Sequence, residues 1–260
     1  MIPDLHWAEI PLGSLSLQVW GLFVATGIAV AIYVAKKVAD KEGLQGNAIV
    51  DASFWIIIGS MVGARLFFVL TELGNYTSDW LGIFRVWEGG MSINGGYLGA
   101  LIAAVIFFRK RKLSFWRYGD IIVYALPLGK FIGRLGCFFV FDHPGSVTEF
   151  FLGEEYYVDQ LIRHNHGLYL SLNGLVMFLV FVLLKKKFSP KAPYFMILFL
   201  PWYGLTRILL DSDRILDSAI AGQTPAQWVG MFMIVLGLIL FGQRQNIRKK
   251  MIKARKKEAN

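Results

Sequence analysis

The chain has 260 residues, of which 55% are hydrophobic and 15% aromatic, while only 17% are charged. This is too much apolar side chain for one water-soluble core, which largely excludes soluble, disordered and fibrous proteins. The net charge of +9 would also suit a nucleic-acid-binding protein. The positions of the charges along the chain therefore have to distinguish nucleic-acid binding from a membrane-related role. The single cysteine, Cys137, excludes a disulfide scaffold and a cysteine-based zinc site, and we expect neither a metal nor a cofactor.

Apolar stretches long enough to cross a bilayer recur along the chain, since a transmembrane helix needs about 20 residues. Only helices satisfy every backbone donor and acceptor within one segment in lipid. The sequence therefore predicts an all-α, polytopic membrane protein with seven transmembrane helices. The predicted spans are Leu15 to Ala35, Ala52 to Leu70, Met91 to Phe108, Ile121 to Phe141, Leu168 to Leu184, Pro193 to Leu210 and Ala226 to Phe241.

The basic residues predict the orientation of these spans. Of the 27 lysines and arginines, 20 lie in the four segments that follow the odd-numbered spans. Because those segments share one side of the membrane, the positive-inside tendency predicts an external N-terminus and a cytoplasmic C-terminus. The basic tail at residues 243–260 is then a topogenic feature at the membrane surface, and nucleic-acid binding is a weak alternative. We predict one transmembrane domain, in which residues 141–166 form an external cap or lie on the headgroups.

Four basic residues fall inside or at the ends of predicted spans, where an ionised side chain is costly and is kept mainly for a task. They are Arg65, Lys130, Arg134 and Arg207. The alternative is an interhelical ion pair or a side chain that reaches out to the headgroups. For Arg65 the two interpretations are balanced. For Arg134 and Arg207 function is favoured, because several cations and few buried acids indicate an anionic ligand.

Helical spacing places these cations on defined faces. One face of span four carries Lys130, Arg134, Cys137 and Phe141, and an adjacent strip of Gly129, Gly133 and Gly136 allows another helix or a lipid to come close. At the outer end of span six, Arg207, Asp211 and Arg214 follow each other at helical spacing. A guanidinium group binds phosphate bidentately, through two parallel hydrogen bonds to its oxygens. The residues therefore predict a membrane-embedded site for a phosphate-bearing amphiphile near the external face.

Collinear motifs make the prediction more specific. They are Gly133-Arg134-Leu135-Gly136-Cys137-Phe138 with Asp142 and Gly145; Trp87-Glu88-Gly89-Gly90-Met91-Ser92 with Gly95-Gly96; Arg163-His164 with Leu168-Tyr169; and Tyr203-Gly204 with Arg207, Asp211 and Arg214. The first resembles the signature GRxGNFxNxExxG of prolipoprotein diacylglyceryl transferases, and the second their W-(D/E)-G-G-M-S-x-H-G-G segment. The third and fourth resemble the family's RHPxQLYE and YGxxRxxxExxR motifs. The resemblance covers most of the chain in the same order.

This resemblance implies transfer of the diacylglyceryl group from phosphatidylglycerol to the lipobox cysteine of a prolipoprotein, giving a thioether and glycerol phosphate. The enzyme would be a multi-pass protein of the bacterial cytoplasmic (inner) membrane, and we expect a monomer. Its partners would be phosphatidylglycerol and the prolipoprotein signal peptide with its lipobox. Arg134 would bind the phosphate, and Arg207 would either hold it as a second clamp or shape the path of the acceptor. The expected substrate-binding set also contains Arg65, Gly136, Gly145, Asp211 and Arg214.

Several positions depart from the family pattern. The histidine of the HGG segment is replaced by Asn94, whose amide cannot accept a proton at working pH. The other changed positions are Trp20, Cys137, Val140, Asp142, Asn165, Gly167 and Leu170. Three interpretations stay open: a divergent transferase with another base, a transferase that modifies a different acceptor, and a noncatalytic phospholipid-binding paralogue. An anion channel or transporter is a further rival, against which the lack of internal symmetry argues.

The candidates for a replacement base are Asp142, His143 and His164, which lie beside motif residues near the outer helix ends. A lone histidine is more often a solvated loop residue than a catalyst, and His6 and His166 receive that interpretation. Cys137 is read as a small buried residue in place of asparagine, not as a nucleophile. The predicted catalytic set is Arg134, Arg207, Asp142, Asn94, His143 and His164.

Overall fold

The structure, a computed structural model, describes residues 1–13, 15–76, 79–188, 193–210 and 222–259. The chain divides into two compact units. The first unit holds Met1–Ala35 and Gly119–Lys250, and the second holds Lys36–Tyr118 and the end of the chain. The backbone passes from one unit to the other inside three continuous helices. The single transmembrane domain therefore stays a prediction.

The described residues form seven α-helices, and each contains most of one predicted span. The helices are α1 (Val19–Lys41), α2 (Gly46–Thr71), α3 (Ile93–Lys110), α4 (Phe115–Val140), α5 (His166–Phe188), α6 (Tyr194–Leu210) and α7 (Pro225–Ala259). Five of them, α1, α2, α4, α5 and α7, are long and apolar enough to cross a membrane. The shorter α6 is apolar but has only 17 residues. The chain is thus a mostly helical protein with at least five candidate spans, and a count of seven stays a prediction.

Two small β-structures interrupt the helical pattern. Strands β1 (Glu9–Leu12) and β2 (Leu15–Gln18) pair as an antiparallel hairpin. The prediction that the first span begins at Leu15 is therefore wrong by four residues, because the sequence LSLQ alternates with the period of a strand. Strands β3 (Pro144–Val147), β4 (Glu154–Glu155) and β5 (Ile162–Asn165) form an antiparallel sheet in the order β3-β5-β4. This sheet lies within the predicted cap segment, and we call it the cap sheet.

Glycines allow close contact between helices in each unit. In the first unit, a Cβ built on Gly27 of α1 would lie 2.5 Å from the carbonyl oxygen of Gly129 in α4. A Cβ on Gly136 would lie 2.8 Å from the Cβ of Phe23. The glycine strip predicted on span four is therefore confirmed as the contact surface for α1. In the second unit, Gly63 of α2 and Gly95 of α3 meet in the same manner. Small residues at such crossings are the usual basis of helix packing in membranes.

Helices α4 and α6 run parallel within the first unit. The Tyr124 ring packs against Phe195, with ring centroids 4.9 Å apart. Further along both helices, the Nζ atom of Lys130 lies 4.8 Å from the centre of the Tyr203 ring. Residue numbers increase together from the first contact to the second, so the helices share one direction. Because the two helices are parallel, equal numbers of residues beyond this contact reach the same height along the helix axes, where Arg134 and Arg207 lie.

Candidate functional site

Arg134 lies on the last two turns of α4 and is half-buried. Its Nη1 atom donates to the Cys137 sulfur at 3.7 Å. Across the described ranges, no carboxylate lies within ion-pair distance of its guanidinium. A cation held in a predicted span without an acid beside it favours an anionic ligand. This environment is consistent with the predicted anion site at the end of α4, which stays a prediction.

Arg207 lies at the same level of α6 as Arg134 does on α4. The four-residue step that leads from Lys130 to Arg134 also leads from Tyr203 to Arg207, and the two helices are parallel. Arg207 is almost fully buried, and its Nε atom donates to the Tyr203 hydroxyl at 3.0 Å. The Tyr203 ring therefore contacts Lys130 on one helix and Arg207 on its own. These cation–ring contacts reduce the cost of holding Lys130 and Arg207 beside Tyr203.

The end of α4 brings three chemically active side chains together. Phe141, the first residue after the helix, has a φ of 49°, a left-handed conformation in which bulky residues are rare. Its backbone N–H donates to the Cys137 carbonyl at 2.9 Å, and its buried ring packs 4.9 Å from that of Tyr156. The turn folds Asp142 and His143 back over the last helical turn. As a result, one ligating atom each of Cys137, Asp142 and His143 lies within 4.8 Å of the other two; we call these residues the α4-end cluster.

The α4-end cluster is better suited to proton transfer than to metal binding. Thiol, carboxylate and imidazole groups are metal ligands in general. Here, however, the Arg134 guanidinium contacts the sulfur, and a divalent cation beside it would be repelled. The Nδ1 atom of His143 contacts the Oδ1 atom of Asp142. That contact directs the other ring nitrogen, Nε2, away from the carboxylate.

Arg65 uses its guanidinium to hold a loop of its own unit. All five N–H groups of an arginine find backbone carbonyl acceptors here. The Nε atom donates to Ile83 at 2.8 Å. The remaining acceptors are the carbonyl groups of Gly82, Arg85, Gly89 and Gly90, at 2.6 to 3.3 Å. The geometry favours the structural interpretation of Arg65, since no donor is left over for a lipid phosphate. The hydrogen bonds from Arg65 to Gly89 and Gly90 also position the Trp-Glu-Gly-Gly motif.

Four other predicted site residues do not belong to the α4-end cluster. Asn94 lies in the first turn of α3, in the second unit. Gly136 contacts α1 through its backbone. Asp211 and Arg214 lie outside the described residues. The predicted roles of these four residues stay predictions.

His164 belongs to the cap sheet. Its Nδ1 atom lies 2.7 Å from the Tyr169 hydroxyl. The neighbouring Arg163 donates to the Asp159 carboxylate through both Nε and Nη2, at 2.8 and 2.6 Å, and to the Gly145 carbonyl at 3.2 Å. The hydrogen bonds from Arg163 hold the pKa of Asp159 below its usual value. In this position, the motif residues Arg163, His164 and Gly145 stabilise the fold of the cap.

Sequence reasoning missed a buried carboxylate in the cap. Glu154 is fully buried and accepts a hydrogen bond from the Asn165 amide at 2.6 Å. Burial raises its pKa to about 7, against the hydrogen bonds from Asn165 and the Leu5 backbone, which lower it. Asn165 also accepts from the Leu168 N–H at 3.3 Å. An asparagine just before an apolar helix is a capping signal that the sequence does contain, whereas nothing in the sequence distinguishes Glu154 from an exposed loop acid.

Comparisons with known proteins point in one direction. Residues 8–242 match the family model of prolipoprotein diacylglyceryl transferase. A Geobacillus kaustophilus protein is 31% identical over 251 residues, covering 92% of this chain and 93% of that protein. A Synechococcus elongatus protein is 30% identical over 256 residues, covering 92% and 88% respectively, and one from Staphylococcus aureus strain Newman is 30% identical over 246 residues, covering 90% and 87%. Each of the three is named phosphatidylglycerol–prolipoprotein diacylglyceryl transferase.

Proposed function

Because the chain belongs to the prolipoprotein diacylglyceryl transferase family, we propose that it transfers the diacylglyceryl group of phosphatidylglycerol to the lipobox cysteine of a prolipoprotein. The sulfur of the acceptor forms a bond to the terminal glyceryl carbon of the lipid, and the bond between that carbon and the phosphate oxygen breaks. Glycerol phosphate leaves with the electron pair. Such a reaction needs an ionised thiol and a group that stabilises the charge growing on the phosphate.

The observation that carries the proposal is the environment of Arg134. Its guanidinium lies at the end of α4 with a thiol as its contact and, over the described residues, no acid within ion-pair distance. A phosphate would supply the missing negative charge and accept two parallel hydrogen bonds. Arg207, at the same level of the parallel helix α6, supplies a second positive charge, and its donation to Tyr203 fixes the side chain. We therefore assign the phosphate to the layer between these arginines.

The proposed topology follows the directions of the helices. Within the first unit, α4 and α6 run parallel, and α1 runs antiparallel to α4 because Gly27 meets Gly129 while Trp20 meets Gly136. This alternation agrees with seven spans, an external N-terminus and a cytoplasmic C-terminus, as the basic segments predict. The cap sheet then lies outside the bacterial cytoplasmic membrane, on the same side as the phosphate layer. We propose a monomer with a single transmembrane domain.

The proposal is tested with purified protein in nanodiscs that contain phosphatidylglycerol, supplied with a synthetic lipobox peptide. We expect the peptide to gain one diacylglyceryl group by mass spectrometry, with an equal amount of glycerol phosphate released. Arg134→Gln should lower kcat/KM by about 100-fold or more, the usual cost of losing one charge-stabilising donor. Arg111→Gln is the matched control, since that guanidinium is exposed and pairs with Asp51.

Two outcomes would contradict the proposal. The first is lipid binding without turnover while a related transferase is active in the same discs, which would favour the noncatalytic paralogue. The second is equal activity of Arg134→Gln and Arg111→Gln, which would remove Arg134 from the site. Turnover of a different thiol peptide in place of the lipobox would instead favour a transferase with another acceptor.

A further inference from the structure

The end of α4 holds an imidazole and a carboxylate beside the proposed phosphate site. Resting on the proposed function, we propose that His143, oriented by Asp142, accepts the proton of the acceptor thiol in this chain. Asn94 stands where the family motif has a histidine and cannot take up a proton. The α4-end cluster supplies an imidazole just beyond the end of α4, the helix that carries Arg134. His143 is then a catalytic residue, and Asp142 is a positioning residue.

The orientation of the His143 ring supports this role. Its Nδ1 atom contacts Asp142 Oδ1, so the tautomer with a proton on Nδ1 is favoured and Nε2 carries the free electron pair. Asp142 also stabilises the positive ring that forms when Nε2 is protonated. A quarter of the His143 side chain is exposed, which leaves a path for the proton to reach solvent. The arrangement reproduces the base and orienting acid of a hydrolase triad, with the thiol supplied by the substrate.

The surroundings of His143 are consistent with one base close to one anion site. On α4, a ligating atom of Cys137 lies within 4.8 Å of one of His143, and the Arg134 guanidinium contacts that thiol. From α5, His166 donates its backbone N–H to the His143 carbonyl at 3.4 Å. Cys137 thus contacts Arg134 and also lies beside His143. A cation and a base that share one neighbour can act on the two ends of one reacting group.

The reaction balances without any further reactant. The acceptor thiol gives its proton to Nε2 of His143, and its sulfur forms the bond to the glyceryl carbon. The carbon–oxygen bond to phosphate breaks, and its electron pair leaves on glycerol phosphate, whose charge Arg134 stabilises. The protonated imidazole then loses its proton to solvent. Cys137 takes no part as a nucleophile, since a diacylglyceryl thioether on the enzyme would leave a carbon–sulfur bond that a second thiol does not displace.

The test is the pH dependence of the His143→Gln variant in the nanodisc assay. At pH 7 about 3% of a thiol with a pKa of about 8.5 is ionised, and at pH 9.5 about 90%. If His143 is the base, the variant should lose about 100-fold or more in kcat at pH 7. That deficit should shrink by up to about 30-fold at pH 9.5, because the thiol then ionises without help. His6→Gln is the matched control, since His6 is exposed and stacks on Tyr157.

Two further measurements keep the proposal falsifiable. Asp142→Asn should lower kcat at pH 7 in the same direction, and imidazole added to His143→Gly should restore part of the activity. A thermal midpoint close to that of the unchanged protein shows that each variant folds. Equal activity of His143→Gln and the unchanged protein, or a deficit that is the same at every pH, would overturn the dyad while leaving the transferase in place. An inactive unchanged protein would instead overturn the proposed function.

Discussion

Replacing Arg65 with lysine tests whether this buried cation holds a loop or binds a lipid. Lysine has three N–H donors in place of five, so at least two of the five carbonyl acceptors in residues 82–90 lose their partner. A hydrogen bond to a charged group contributes about 1.5–3 kcal/mol. The loss is therefore about 3–6 kcal/mol where the freed carbonyls stay dry, and less where water reaches them. It should appear as local opening of the loop, because the acceptors all lie in one segment.

Hydrogen exchange of the amides in residues 80–92 measures that opening, and lipid titration in the same discs measures binding. We expect Arg65→Lys to speed exchange in this segment by about 100-fold, which corresponds to about 3 kcal/mol of local stability. Arg134→Lys is the matched substitution in the proposed phosphate layer, and it should weaken lipid binding without opening the loop. Weaker lipid binding by Arg65→Lys with unchanged hydrogen exchange would refute the structural role of Arg65 and support a role in binding the lipid.

Substitutions at three further positions have expected outcomes. Glu154→Gln should stabilise the protein above pH 8 by about 3 kcal/mol and leave it unchanged below pH 4.5. The pKa of Glu154 is raised from 4.5 to about 7, so the protonated form that suits its buried position is lost as the pH rises. Thermal midpoints of both proteins at the two pH values measure the effect. A gain in stability at low pH equal to the gain at high pH would contradict this explanation. Gly167→Gln introduces the family residue where a Cβ would lie 2.5 Å from the Phe138 nitrogen, so the thermal midpoint should fall, whereas no change would show that α5 shifts freely. Phe141→Val should lower kcat more than Phe141→Gly, because only glycine adopts a φ of 49° without strain; equal kcat values would show that the turn does not position His143.

The helices could be predicted from the sequence because long apolar stretches have one stable form in lipid. Their ends could not. The structure starts α1 at Val19, where the strand-like alternation of Leu15–Gln18 stops, and it continues α7 to Ala259. That extension runs through a tail rich in lysine and arginine, which form helix well in water but carry no transmembrane signal.

The sequence predicts the parts of the candidate site that follow from helical spacing. It does not predict the part that depends on a turn. The Arg134 to Cys137 contact follows directly from residues three apart on one helix. The approach of Asp142 and His143 to Cys137 does not, because it requires a left-handed residue after α4. A sequence rule expects glycine at such a position, whereas this chain has Phe141. Burial of the aromatic ring against Tyr156 compensates for the backbone strain.

The packing of the Phe141 ring holds the proposed base, His143, in its position after α4. A left-handed bulky residue costs about 1–2 kcal/mol, while burial of a phenylalanine side chain contributes about 3–5 kcal/mol. The turn is thus held by packing inside the first unit. Arg134 lies on the last two turns of α4 and Phe141 follows that helix directly, so about two helical turns of backbone set the distance between Arg134 and His143. If His143 is the proposed base, its distance from the proposed phosphate site depends on this backbone and not on the first turn of α3, where Asn94 stands in place of the family histidine.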